Sequence, residues 1–160
     1  MTKIYVYFVH RKTFNPLSIL IRFLQKDKSS HVAIAINTNW ERTLIYHASA
    51  IGVNFENHDY FMRKYEIDKS FMVEIESIGE IFRYCIDNLN SSYSLRSLFF
   101  HLFSFFGITI SALLPSKGFI CSSLVGHVLR SQGIKLDDDP KRWDIIKAKQ
   151  FMGKYYASNS

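Results

Sequence analysis

Cysteine is scarce in this chain: there are two, Cys85 and Cys121, in 160 residues. Two thiols cannot form a disulfide framework, and without a CxxC pair they do not suggest a metal knuckle. Both are expected to be reduced. Runs of like charge are also missing. The 20 basic and 14 acidic side chains give a net charge of +6, but no basic run is longer than Lys26-Asp27-Lys28 or Arg63-Lys64. No nucleic-acid-binding motif accompanies the charge, so a nucleic-acid partner is not expected; weak attraction to anionic surfaces fits the charge equally well. Repeats, linkers and low-complexity stretches are absent. The apolar start, Ile4 to Val9, is only about six residues long and has no small-residue cleavage site, so it reads as a strand and not a signal peptide. The expectation is a protein that is cytoplasmic where made, with its site of action left open.

Apolar residues, by contrast, are abundant: 48% of the chain, with fourteen Phe and nine Tyr. That composition excludes disorder and suffices for the core of one domain spanning residues 1–160. Residues 3–9 read as a buried strand. Asn15-Pro16 fits an N-cap and first helical position, and Leu17, Leu20, Ile21 and Leu24 give a helix ending near Lys28. Strands are expected at 31–37, 42–48, 52–55 and 69–76, with helices at 57–65, 78–89, from Cys121 to Gly133, and at 143–151. Most strands precede most helices, which predicts an α+β fold with an antiparallel sheet packed on helices.

Cys121 opens one of those helices, where the helix dipole and free amides favour a thiolate. His31 opens a strand, and a histidine there suits a general base. His47, in Ile45-Tyr46-His47-Ala48, ends the next strand; antiparallel pairing brings it beside His31, where it would hold the imidazole in the useful tautomer. Cys85 falls mid-helix on an apolar face and reads as core. His31, His47 and Cys121 supply only three ligands at scattered spacings, which falls short of zinc, so neither metal nor cofactor is expected.

Several short pieces, in order, carry a family resemblance: Ser30-His31-Val32-Ala33-Ile34, Tyr46-His47-Ala48, Gly52-Val53 followed by Asp59-Tyr60-Phe61, Ser92-Tyr93, and Phe119-Ile120-Cys121-Ser122-Ser123-Leu124-Val125. Spread over most of residues 4–135, they resemble the circularly permuted papain-like, NlpC-type cysteine hydrolases, in particular the YiiX-like amidases and, more distantly, the lecithin:retinol acyltransferase-like enzymes. The resemblance implies Cys121 as nucleophile, His31 as base, His47 as third residue, and Tyr93 near the oxyanion site. It also implies amide cleavage in peptidoglycan stem peptides. YiiX-like proteins usually have Glu as third residue and the acyltransferase-like branch His, so His47 keeps a lipid-directed acyltransferase or thioesterase in view. A catalytically silent binding module on the same fold is the competitor from another class.

Residues 97–116 contain no Lys, Arg, Asp or Glu and are close to transmembrane length. A single span there would leave His31 and Cys121 on opposite sides of a bilayer. A packed helix is therefore expected, with any exposed face contacting a membrane surface, a protein or a lipid substrate.

Overall fold

In the computed structural model, residues 2–38, 42–49, 51–94, 103, 107 and 118–159 are described. Five strands form an antiparallel sheet: β1 (Thr2–Arg11), β2 (His31–Asn37), β3 (Thr43–Ser49), β4 (Gly52–Asn57) and β5 (Tyr65–Ile75), in the order β4-β3-β2-β1-β5. The described helices are α1 (Pro16–Gln25), α2 (His58–Lys64), α3 (Ile78–Asp87), α4 (Cys121–Ser131) and α5 (Ile145–Asn159), with a 3-10 turn at Pro140–Arg142. The expected α+β class with an antiparallel sheet on helices is what the structure has. The expected helix at 97–116 lies outside the described residues apart from Phe103 and Gly107. Among the described residues, no helix is long and apolar enough to cross a membrane.

Strand alternation sorts the core into two layers. Ile4, Val6, Phe8, Val32, Ile34, Ile36 and Tyr46 point to the face covered by α1, α3, α4 and α5, where they meet Ile21, Ile81, Leu124, Val128 and Met152. Val9, Ala33, Ala35 and Ile45 point the other way, onto Phe61 of α2. The second layer is thin because α2 is short, and Tyr5, Tyr7 and Tyr65 supply aromatic cover in place of a further helix.

Two boundaries differ from expectation for identifiable reasons. β5 begins at Tyr65, four residues before the expected 69. The register against β1 slips between Phe8 and Val9, so that Asp68 is skipped between Ile67↔Val9 and Lys69↔Phe8. This bulge reverses the alternation: Ile67 faces the α2 layer while Phe71, Val73 and Ile75 face the main core. A single period of two cannot be read across it. The last helix runs to Asn159 instead of 151. Its buried residues Ile145, Ala148, Phe151 and Met152 anchor the first half, and beyond Gly153 Tyr155 packs against the core and Tyr156 sits edge-on to Phe71.

Local caps fix the segment leading to His31. The Asn15 side chain accepts from the Ser18 amide at 2.9 Å, Pro16 occupies the first turn, and Lys26 takes the left-handed conformation that ends α1. The Ser18 and Ser30 hydroxyls are 2.6 Å apart. From α5, Lys149 Nζ reaches both Asp27 carboxylate oxygens at 2.7 and 2.9 Å. Burial pushes the Asp27 carboxyl upward, but Lys149 and Ser29 outweigh it and hold the group below its ordinary value.

Candidate active site

Cys121 is the first residue of α4, which lies across β2 and β3. The helix entry is tied down by serines: the Ile120 amide donates to Ser123 Oγ at 3.0 Å, Ser123 Oγ donates to the Ile120 carbonyl at 3.0 Å, and Ser122 Oγ donates to the Trp143 carbonyl at 2.7 Å. The preceding segment is held against residues 92–94. Phe119 bridges to Tyr93, its amide donates to the Ser92 carbonyl at 3.1 Å, and the Ser94 amide donates to the Phe119 carbonyl at 2.9 Å. The approach requires Gly118, whose φ is +83° and whose Cβ, were there one, would lie 2.5 Å from the Ser92 carbonyl oxygen.

The imidazoles come from the other face of the sheet. His31 Nε2 and His47 Nδ1 are 3.0 Å apart, with ring centroids 5.2 Å apart and planes at 79°. The expectation that these residues meet is met, although diagonally and not side by side. The β2–β3 ladder ends at the pair Ile34↔Tyr46, His47 lies one residue beyond it and His31 three residues before it, and both imidazoles share the α2 face. Tyr65 stacks on His31 at 5.3 Å and on Phe61 at 4.5 Å, while Phe61 sits edge-on to His47 at 5.3 Å. Tyr65 was not singled out from the sequence, because it looked like the end of α2; its aromatic character at a strand start was the available signal.

The site straddles the start of β2. No ladder pair joins residues 31–33 to 47–49, and a cavity of about 330 Å³ occupies this region. Its walls mix both faces of the sheet: Ile21 and Ala48 from one, His31, His47 and Tyr65 from the other, with Ser18, Ser30, Asn54, Glu56 and Tyr93. Cys121, 6% exposed, is not among them. Its sulfur is reached by the backbone amides of Val32, the residue after His31, and of Ser122 and Cys121 itself. Charge on Cys121 also bears on the Tyr65 and Tyr93 hydroxyls, and Tyr65 in turn stacks on the His31 ring.

Protonation departs from expectation. The helix start leads one to expect a depressed Cys121 pKa. Burial instead pushes it up to about 11, against the opposing pull of the three amides. Burial also drives His31 well below its ordinary range, with His47 and Arg11 acting the same way. His47 falls to about 4 through burial and the Lys64 charge, opposed by Glu56. At neutral pH the resting groups are therefore a neutral thiol and neutral imidazoles, not a thiolate–imidazolium pair. Cys85 is core, as expected: it is fully buried and pushed up to about 12.

Sequence reasoning missed Glu56. It follows the four strand residues recognised at 52–55 and belongs to the same strand, β4. Its Oε2 lies 3.9 Å from His47 Nε2, and its Oε1 lies 2.6 Å from Lys64 Nζ. Asn54 and Glu56, at alternate positions of β4 where a face alternates, were the overlooked signal. Among the described residues, no group of three or more His, Cys, Asp or Glu is placed to hold a metal. Comparison of the sequence with protein-family models finds no match, and comparison with curated proteins finds none either.

Proposed function

We propose that the chain is a cysteine hydrolase of the circularly permuted papain-like, NlpC type, cleaving an amide bond through an acyl-enzyme. The supporting observation is the His31–His47 contact at the start of β2, together with a helix-start cysteine whose sulfur is met by backbone amides, one of them that of Val32, the residue after His31. His31 Nε2 is engaged by His47, which leaves Nδ1 as the proton acceptor. As the Cys121 sulfur attacks the carbonyl carbon, its proton passes to His31 Nδ1. The oxyanion is met by the Cys121 and Ser122 amides, with Tyr93 beside them. His31 then returns the proton to the leaving amine, and water releases the acyl group from the thioester. Because the resting thiol is neutral, proton transfer accompanies attack and does not precede it.

The substrate class that the family resemblance favours is the peptidoglycan stem peptide. A lipid-directed acyl transfer is the second reading, and a specific observation favours it: Ile19, Leu20 and Phe23 of α1, with Phe14, expose apolar surface next to Arg22 and Lys26, while Leu17 and Ile51 border the cavity. Incubation with stem-peptide fragments and, separately, with phosphatidylglycerol vesicles decides between them, with mass spectrometry of intact protein reading the acyl adduct. An adduct on Cys121 with stem peptide supports the proposal, and one only with phospholipid supports the second reading. No adduct with either, and no turnover lost in Cys121→Ala, overturns both.

A further inference from the structure

His31 can accept a proton on Nδ1 only if its own proton resides on Nε2, which then donates to His47 Nδ1. His47 must in that case carry its proton on Nε2. Nothing in the His31–His47 contact enforces this order, since the reverse arrangement, His47 Nδ1–H donating to His31 Nε2, has the same 3.0 Å distance. The reverse order puts the His31 proton on Nδ1 and disables it as a base. Selection must come from the far side of His47.

Among the described residues, Glu56 is the charged group on that side, next to Asn54, which pairs with His47 across the β3–β4 ladder and whose Oδ1 is also buried without a partner. His47 Nε2 and Glu56 Oε2 are both buried, both lack a hydrogen-bond partner, and lie 3.9 Å from each other. A carboxylate oxygen at that distance repels an imidazole lone pair and attracts an N–H, and burial of both atoms keeps the local dielectric low. The charged and titratable groups around His47 are His31 on β2, Glu56 on β4 and Lys64 on α2, with Arg11 of β1 acting on His31. Of these, Glu56 is the acceptor placed at Nε2. Lys64, 2.6 Å from Glu56 Oε1, tethers the carboxylate and limits its pull on His47.

We propose that Glu56 is a positioning residue that holds His47 in its Nε2–H tautomer and so fixes His31 Nδ1 as the base. The kinetic consequence rests on the cysteine hydrolase reading; the tautomer assignment does not. The two are read separately. Long-range ¹⁵N–¹H spectra of the full chain report the protonated nitrogen of each imidazole. Expected are Nε2–H for both His31 and His47 in the native protein, and loss of the single Nε2–H form of His47 in Glu56→Ala. Glu56→Gln, which keeps the volume and serves if Glu56→Ala does not fold, is expected to lower the His47 pKa. Lys64→Ala, which frees the carboxylate, is expected to raise it. Opposite shifts from two partners of one ion pair are not what a purely structural role produces. Alkylation of Cys121 by iodoacetamide at pH 7.5 is expected to slow about tenfold in Glu56→Gln, within the range found for groups that orient a functional imidazole. A native His47 in the Nδ1–H form, a tautomer unchanged in Glu56→Ala, or pKa shifts of the same sign would overturn the proposal. Alkylation insensitive to His31→Ala would instead overturn the hydrolase reading and the kinetic half of this inference, while the tautomer arm still decides the Glu56 assignment.

Discussion

His31 Nε2 and His47 Nδ1 lie 3.0 Å apart on a diagonal between two strands, just beyond the last ladder pair, Ile34↔Tyr46. The contact costs His31 one of its two nitrogens and leaves the other for chemistry. In the proposed reaction it also makes the two residues unequal: His31 takes the thiol proton, while His47 acts only through its neighbour.

That inequality sets the order of mutational effects. Cys121→Ala and His31→Ala are expected to abolish turnover, falling about 10⁴-fold or more, whereas His47→Ala is expected to lose about 10–100-fold. His47→Glu is expected to be worse than His47→Asn, because it sets a second carboxylate against Glu56, whose Oε2 is 3.9 Å from His47 Nε2. Steady-state kinetics of the five variants measure this. A His47→Ala loss equal to that of Cys121→Ala would mean that His47 takes part in proton transfer itself.

The two thiols are expected to differ in native reactivity. Burial pushes Cys121 to about 11 and Cys85 to about 12, and only Cys121 has amides directed at its sulfur. Iodoacetamide should label Cys121 first, slowly at pH 7.5 and faster as pH rises. Peptide mass mapping over a time course reads the order. Labelling of Cys85 first would contradict the assignment of roles.

Acid is expected to destabilise the fold well above the carboxylate range. The folded His47 pKa, about 4, lies below the ordinary 6.5, so between those values the unfolded chain binds a proton that the folded chain refuses. The stability it contributes is complete above pH 6.5 and is lost as pH falls toward 4, amounting to about 3 kcal/mol. His31, shifted in the same direction, adds to the loss. Urea unfolding at pH 7.5 and 4.5 measures it, with His47→Asn expected to lose less between the two. Equal wild-type stability at both pH values would refute the burial-driven shifts.

Gly118→Ala is expected to damage the site more than its size suggests. It meets both a φ of +83° and a carbonyl oxygen 2.5 Å from the new methyl group. Relief requires breaking the Phe119–Ser92 bond that holds Tyr93 beside the Cys121 helix start. A loss of about 1–3 kcal/mol by thermal unfolding is expected, with a fall in Cys121 alkylation rate. Unchanged stability would show that residues 92–94 and 118–119 are not tightly coupled.

The sequence by itself determined the elements and their order. The contiguous apolar runs within 31–37 and 43–49, the Asn15-Pro16 cap and the three- and four-residue spacing along α1 and α3 are local signals, and local signals survive in one dimension. It also determined that a histidine starts β2 and a cysteine starts α4. The tertiary structure decided what those residues become. The bulge at Asp68, which turns Tyr65 toward His31, exists only in the pairing of β5 with β1. Glu56 gains its place from the β3–β4 register and from Lys64 on α2, neither visible in a strand recognised only as far as Phe55. The Cys121 protonation state went against the local expectation, because a helix dipole acts over one turn whereas desolvation sums over everything packed around the sulfur. Position along the chain is written in the sequence; burial is a property of the assembled core, and here burial sets the chemistry.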